Sequence, residues 1–429
     1  MLGRPEYRKA LVFCALIGVP VALVAFWFLV ALRQLEQLIW TTWPKDLGWK
    51  QAPWWWALPL LTTAGLVVGL VVARFPGQGG HLPAGGLHSG GVTRAALPGV
   101  LTAALVGLPL GVVLGPEAPL IALGGGLALL LASLVRAPEN EASTALLGAA
   151  GAAAAISALF GNPIVGAVML MEVAGVGGPQ LFAVMLPVLL ASGVGDLIFT
   201  GFVHWTGLQA GTLSIGLPKP PPLDWGDVLW VLVLAPALAF LVHWTFVGGR
   251  FAARFVATRT VRNTMVCALG AGVCVTLYAV STGRSPAEAA LSGEATLSRL
   301  AQDPHAFSVG ALVAVLAFKG LAYSLCLGSL RGGPVFPALF LGGAAGVLLA
   351  PLPGLGLVPG MAVGMAASVT AALRLPVSGV VLVVLLLGNV QTVALVVLAA
   401  VVSFVLTQLL PQGPSIPAVG ERPADQAAH

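Results

Sequence analysis

Charge is what this sequence has least of. Asp, Glu, Lys and Arg make up 8% of 429 residues, where a soluble chain carries about 25%. Hydrophobic residues make up 58%, and the mean hydropathy is +0.99. These figures exclude an ordinary soluble domain and put most of the chain in lipid or inside protein surrounded by lipid. Cysteine is also sparse. Cys14, Cys267, Cys274 and Cys326 stand singly in apolar runs with no CxxC pair, which reads as buried thiols rather than disulfides or metal ligands. No HExxH, GxSxG or repeated Asp motif occurs, and the GAAGAAAA run at 148–155 lacks a Walker lysine. A membrane enzyme or a phosphate loop therefore has little to stand on. The net charge of +5 is scattered or sits at the ends of apolar runs, a loop bias rather than a nucleic-acid surface. The run 11–32 has no small-residue cleavage site and is too long for a signal segment, so it is read as a retained first helix that can span with tilt.

What is present is a series of apolar helical runs. They lie at 11–32, 55–73, 98–113, 119–136, 145–175, 179–201, 226–248, 263–281, 308–328, 335–351, 357–373 and 376–410. Several fall short of the roughly 20 residues needed to cross a membrane core, and others are long enough for two helices. Gly 55 and Pro 32 are high, as close-packed and broken membrane helices require. Short, interrupted segments at corresponding places suggest a transporter built as an inverted repeat.

The Pro-rich stretch GLPKPPPLDWGD at 216–227 divides the chain into a first repeat, 1–215, and a second, 228–420. A short tail, 421–429, leaves the expectation of no regulatory domain. Arg4, Arg8 and Lys9 place the N-terminus in the cytoplasm, and Arg250, Arg254, Arg259 and Arg262 do the same for a loop at 248–263. The first long helix of each half then runs in opposite directions. Trp40, Trp43, Trp49 and Trp54 to Trp56 read as an interfacial belt. The polar stretch 283–307 predicts a short surface helix near 287–300. The fold class expected is an all-α integral membrane protein of two inverted repeats with tilted and broken helices.

Three Gly/Pro clusters break the apolar pattern: GQGGHLP at 77–83, GPEAP at 115–119 and RGGPVFP at 331–337. Glycine frees the backbone, and proline suits a first helical turn. Helix N-termini carry partial positive charge and unpaired N–H groups, so three of them at membrane depth would make an anion site. Within the second cluster stands Glu117. A carboxylate ionised at membrane depth costs several kcal/mol unless something holds it.

These clusters resemble motifs of the CLC chloride channels and chloride/proton exchangers. In that family GSGIP, G(K/R)EGP and GxFxP occur in this order, followed by a tyrosine near the C-terminus. Here GGHLP, GPEAP and GGPVFP stand in their places, and GAAGAAAAISALFGNPIVGAVMLMEV at 148–173 is similar to the family's small-residue helix, turn and glutamate. The resemblance covers nearly the whole chain. It implies two inverted halves, voltage-gated anion conduction, and a homodimer with one pore per subunit. It assigns Glu117 the role of gating glutamate, whose carboxylate competes with the permeant anion and takes protons from outside. It places the anion site at Gly79, Gly80, His81, Gly115, Pro116, Ala118, Gly333, Pro334, Val335, Phe336 and Ile416.

The departures are specific. Gly80 replaces the serine that would offer a hydroxyl. Pro334 has no N–H, and Val335 stands where the family has phenylalanine unless the register slips to Phe336. Ile416 replaces the tyrosine. A site poor in direct donors implies weaker or less selective binding, served by helix dipoles, the Val335 N–H and water. Glu172 matches the first of two acids found in exchangers and Val173 replaces the second, which leans towards passive, channel-like conduction. Glu172 itself reads better as a carboxylate bonded at a helix end than as a proton carrier.

His81 can donate a hydrogen bond to an anion near Gly80, or simply belong to a loop. His88, His204 and His243 read as packed or interfacial, and Asp196 as interfacial. Lys319 either raises the local potential or snorkels.

Three readings remain open at this stage: a passive chloride conductor, a chloride/proton antiporter with another internal proton route, and an unrelated inverted-repeat transporter. The last would need more intramembrane acids than Glu117 and Glu172. A fluoride exporter lacks support, because its altered glutamate motif and asparagine-bearing filter are not found. No cofactor or metal is expected, and the ligands are chloride or a similar anion, protons and the lipid bilayer. The location expected is a bacterial inner membrane.

Overall fold

The run after the basic start folds into one long helix, α1 (Pro5–Gln37), which continues through a π-helical turn (Leu38–Thr42) into α2 (Trp43–Asp46). A computed structural model describes residues 5–87, 93–136, 141–175, 177–178, 180–208, 215–217 and 224–416. His88, residues 218–223 of the 216–227 linker and the tail lie outside the described residues. The first half continues with α3 (Ala57–Arg74), α4 (Leu97–Gly107), α5 (Glu117–Leu134), α6 (Glu141–Phe160), α7 (Pro163–Val173) and α8 (Gln180–Thr206). The second contains α9 (Trp225–Thr258), α10 (Thr260–Thr282), α11 (Glu294–Gln302), α12 (Val309–Ser329), α13 (Val335–Leu349), α14 (Leu357–Leu373), α15 (Pro376–Leu387) and α16 (Val393–Leu409). Among the described residues the one β pairing is an isolated bridge between Gly115 and Gly333.

Local chemistry sets the helix ends. Asn162 accepts from the Ile164 N–H and Pro163 opens α7, so the run 145–175 splits into two helices there. Asp224 and Asp227 form a reciprocal capping box on α9. Gly388, in the left-handed region, ends α15 and divides the run 376–410. The Arg-rich stretch expected as a loop is instead helical. Helix α9 extends to Thr258 and α10 starts at Thr260, with only Arg259 turning the chain between them.

Nine helices among the described residues are long and apolar enough to cross a membrane. Helices α13, α14 and α15 are shorter, with 15, 17 and 12 residues. The packing partners repeat along the chain: α1 meets α6 and α8 as α9 meets α14 and α16, and α5–α6 corresponds to α13–α14. Hydrophobic burial does little to join helices in lipid, so van der Waals contact between small residues must do it. Gly124 lies on Gly151, and Gly342 on Gly364, with backbones too close for any Cβ. The α3–α10 and α7–α15 contacts join the two series.

The aromatic belt needs correction at two positions. Trp40 and Trp56 are buried, donating to the carbonyls of Pro109 at 2.9 Å and Ile39 at 3.1 Å. Trp43 and Trp54 are exposed.

Candidate functional site: a carboxylate between two helix N-termini

Two of the three Gly/Pro clusters open helices, and those two N-termini meet. Gly115 donates to the Gly333 carbonyl at 2.8 Å, and Gly333 to the Gly115 carbonyl at 2.6 Å. This bridge fixes α5 and α13 so that their free N–H groups face a common point. The first cluster differs from expectation. Gly77, Gln78, Gly79 and Gly80 all have positive φ, and a single 3-10 turn (Pro83–Gly85) follows instead of an α-helix. Gly85 and Gly86 offer poor helix propensity, and Gly86 turns left-handed at φ 85°. Among the described residues the three clusters therefore supply two anion-attracting helix ends, not three.

Glu117 is the first residue of α5 and is fully buried. Its Oε1 accepts from the Phe336 N–H at 2.8 Å. Its Oε2 is buried with no hydrogen-bond partner among the described residues. The carboxylate lies over Gly115 and Gly333, where a Cβ on Gly333 would overlap Oε2. One oxygen held by a helix N-terminus and one left over describe a charge that is tolerated but not locked.

The other residues of the third motif also make contacts elsewhere. Pro334 is the N-cap of α13, and its carbonyl accepts from the Tyr323 hydroxyl at 2.7 Å. The Phe336 ring stacks on Phe160 at 5.5 Å while its N–H serves Glu117. Val335 is fully buried.

The residues on either side of Glu117 line two different cavities. Ala118 and Pro119, just after it, line a small one of about 30 Å³, together with Gly79, Gly80, His81, Arg331 and Pro334. Leu114 and Pro116, just before it, line a large one of about 710 Å³. The walls of the larger cavity carry Arg33, Glu36, Lys45, Lys50, Glu288, Glu294 and Arg299. Arg33 bonds Glu294, and Glu288 accepts from Arg284, Arg299 and Tyr278. Burial pushes the Glu294 carboxyl above the usual carboxylate range, against the pull of Arg33.

Of the anion-site positions expected, the small cavity gathers Gly79, Gly80, His81, Ala118 and Pro334. Gly115 and Gly333 form the bridge beside it. Pro116 faces the other side. Ile416 is half-buried against the core and lines neither cavity.

Glu172 lies elsewhere, at the end of α7. It accepts from the Val377 N–H at 3.1 Å, the Ser378 N–H at 2.6 Å and the Ser378 hydroxyl at 2.5 Å, so it caps α15. Val173 ends α7 beside it, partly buried.

Several other expectations change. Lys319 does not snorkel. It is fully buried, and its Nζ donates to the carbonyls of Ala289 at 3.2 Å, Ala290 at 2.7 Å and Leu291 at 3.1 Å, over the Phe340 ring. Asp196 sits inside α8 rather than at its end, with Oδ1 buried and without a hydrogen bond among the described residues. His243 is buried 3.1 Å from the Pro411 carbonyl, and His204 is exposed.

The residue that sequence reading passed over is Arg331, which opens the RGGPVFP cluster and is only 4% exposed. Its signal was available, since it is the one charge in that cluster. No group of three or more metal-ligating side chains occurs among the described residues.

Known proteins resemble this chain along most of its length. YfeO of Escherichia coli O7:K1 (strain IAI39), whose name includes the words ion-transport protein, is 28% identical over 338 residues, covering 78% of this chain and 77% of YfeO. The Escherichia fergusonii YfeO is equally similar. Among solved structures, a CLC-type fluoride/proton antiporter has a TM-score of 0.73 at 20% identity, covering 94% of this chain and 96% of its own. A slow cyanobacterial chloride/proton antiporter has 0.76 at 19%, covering 95% and 96%. These likenesses concern the fold. The family pattern described as voltage gated chloride channel matches residues 64–408, and the chain accordingly belongs to that family of integral membrane anion-transport proteins.

Proposed function

We propose that this chain carries small anions, chloride first among them, through a pathway that Glu117 opens and closes, and that conduction is passive. The observation that carries the reading is the buried Glu117 carboxylate on the Phe336 N–H, with the residues on either side of it lining the two cavities. An anion seeking that N–H must displace the carboxylate. Protonation removes the charge that the helix end attracts, frees the N–H and lets the anion take its place. Passive conduction is favoured by Val173, which offers no internal acid, and by Glu172, whose two oxygens are both engaged on α15.

With the N-terminus in the cytoplasm, α1 runs outward, and its far end at Arg33 and Glu36 puts the larger cavity on the external side. A homodimer in a bacterial inner membrane, with two inverted repeats at 1–215 and 228–420, rests on the resemblance and the repeated packing partners.

Proton-coupled exchange is the second reading. It is supported by the fold neighbours, which are antiporters, and by the single protonatable group at the constriction.

The test is chloride efflux from proteoliposomes with external pH recorded, for wild type and Glu117→Gln. Efflux without proton movement, and faster or pH-independent in the variant, is expected. Proton uptake in a fixed ratio, lost in the variant, makes it an exchanger. No chloride movement in either protein overturns both readings.

A further inference from the structure

The small cavity contains a charge that the proposed pathway has not yet used. Arg331 lies between α12 and α13 and is 4% exposed. A guanidinium keeps its proton in proteins, and a buried charge is normally paired. Here it is not. The ion pairs are Arg33–Glu294, Arg284–Glu288 and Arg299–Glu288 among the described residues, and none involves Arg331. Its Nε donates to the Gln78 carbonyl at 3.0 Å and its Nη1 to the Leu330 carbonyl at 3.3 Å. No hydrogen bond of its Nη2 occurs among the described residues, and Arg331 lines the cavity.

The surroundings fit a positively charged ligand site. The side chain runs along Gly79, where a Cβ would stand 3.5 Å from the Arg331 Cγ. It borders the cavity beside Gly80 and Pro334, which supply neither a hydroxyl nor, at Pro334, an N–H. The fixed backbone bonds hold the guanidinium in place, so little is lost in ordering it when an ion binds. At about 30 Å³ the cavity exceeds the roughly 10–15 Å³ that one water needs, so it has room for a small anion.

We propose that Arg331 is the ligand that holds the transported anion on the inner side of Glu117 and sets its selectivity by charge, in place of hydroxyl donors. This deepens the function proposed above and rests on it. The waiting anion is then neutralised by a side chain rather than by helix dipoles alone. Binding depends on one residue, and the absence of side-chain hydroxyls no longer implies a weak site.

The first test needs no substitution. Crystals of the wild-type protein soaked in bromide are expected to show anomalous density in this cavity within hydrogen-bond distance of Arg331. Density elsewhere along the path, with none here, overturns the proposal. The second is chloride binding by calorimetry on the Glu117→Gln protein, where no carboxylate competes, with and without Arg331→Gln and Arg331→Lys. Arg331→Gln is expected to weaken binding about tenfold or more, as loss of a charge-assisted bond does. Arg331→Lys is expected to recover part of it. Unchanged affinity in a well-folded Arg331→Gln protein also overturns the proposal. A wild type that conducts chloride but has no bromide at Arg331 sinks this inference alone, whereas a wild type that neither conducts nor binds sinks the proposed function with it.

Discussion

Gly333 and the Glu117 carboxylate occupy adjoining space with nothing to spare. A methyl group on Gly333 meets Oε2 directly, so Gly333→Ala must displace the carboxylate from the Phe336 N–H or strain the bridge to Gly115. Overpacking of this kind costs about 1–3 kcal/mol. We expect Gly333→Ala to lower thermal stability and, on the proposed gating role of Glu117, to raise chloride efflux at high external pH. Glu117→Ala removes the carboxylate and leaves only the Cβ of residue 117, 2.9 Å from the added methyl, so adding Gly333→Ala to it is expected to cost less than in the wild type. A double-mutant cycle on melting temperature and efflux measures this, and additive effects count against the shared space.

Single residues also show where sequence reading stops. Glu117 was legible because one acid in a long uncharged stretch demands a reason. Lys319 was not, because its carbonyl partners at 289–291 come from a segment brought to it only by the fold. Arg331 was visible as a letter, but its unpaired state depends on what surrounds it in space.

At the scale of elements, Glu172 has the geometry of a helix cap. Three donors from the first turn of α15 converge on its carboxylate, which ties α7 to α15 across the two halves. Removing a capping carboxylate costs about 0.5–2 kcal/mol. We expect Glu172→Ala to lower the melting temperature in detergent while leaving chloride efflux per folded molecule within about twofold of wild type. An unchanged melting temperature with lost proton movement would instead assign Glu172 to proton transfer.

Helices of this kind are legible where capping chemistry is local, as at Asn162–Pro163 and Gly388. They are illegible where packing overrides the local signal. The Arg-rich end of α9 reads as a loop, yet it stays helical because Ala252, Ala253 and Val256 pack inward while the arginines face away or reach other segments. The first Gly/Pro cluster shows the reverse: it has the letters of a helix start, but four consecutive positive-φ residues make it a turn.

For the whole molecule, the large vestibule is where the two halves meet solvent and each other. Arg33 at the end of α1 bonds Glu294 at the start of α11, and Glu36 stands on the same wall. Negative charge there opposes an arriving anion. The Glu294 carboxyl is pushed above the usual carboxylate range by burial, so it holds its proton to a higher pH than a free glutamate does. As pH falls through that raised value the negative charge disappears, Arg33 is left less compensated, and the vestibule attracts anions more strongly. The sign is therefore faster chloride uptake on acidification, independent of Glu117. Glu294→Gln imitates the protonated form and is expected to raise uptake at neutral pH about two- to threefold at low ionic strength, with the gain fading as salt screens the vestibule. It should also flatten the part of the pH dependence that survives in Glu117→Gln protein. The check is the initial rate of chloride uptake into proteoliposomes across pH and salt, for Glu117→Gln with and without Glu294→Gln. Rates that coincide at low salt would mean that the charge of this wall does not reach the ion path, and that access is controlled at Glu117 alone.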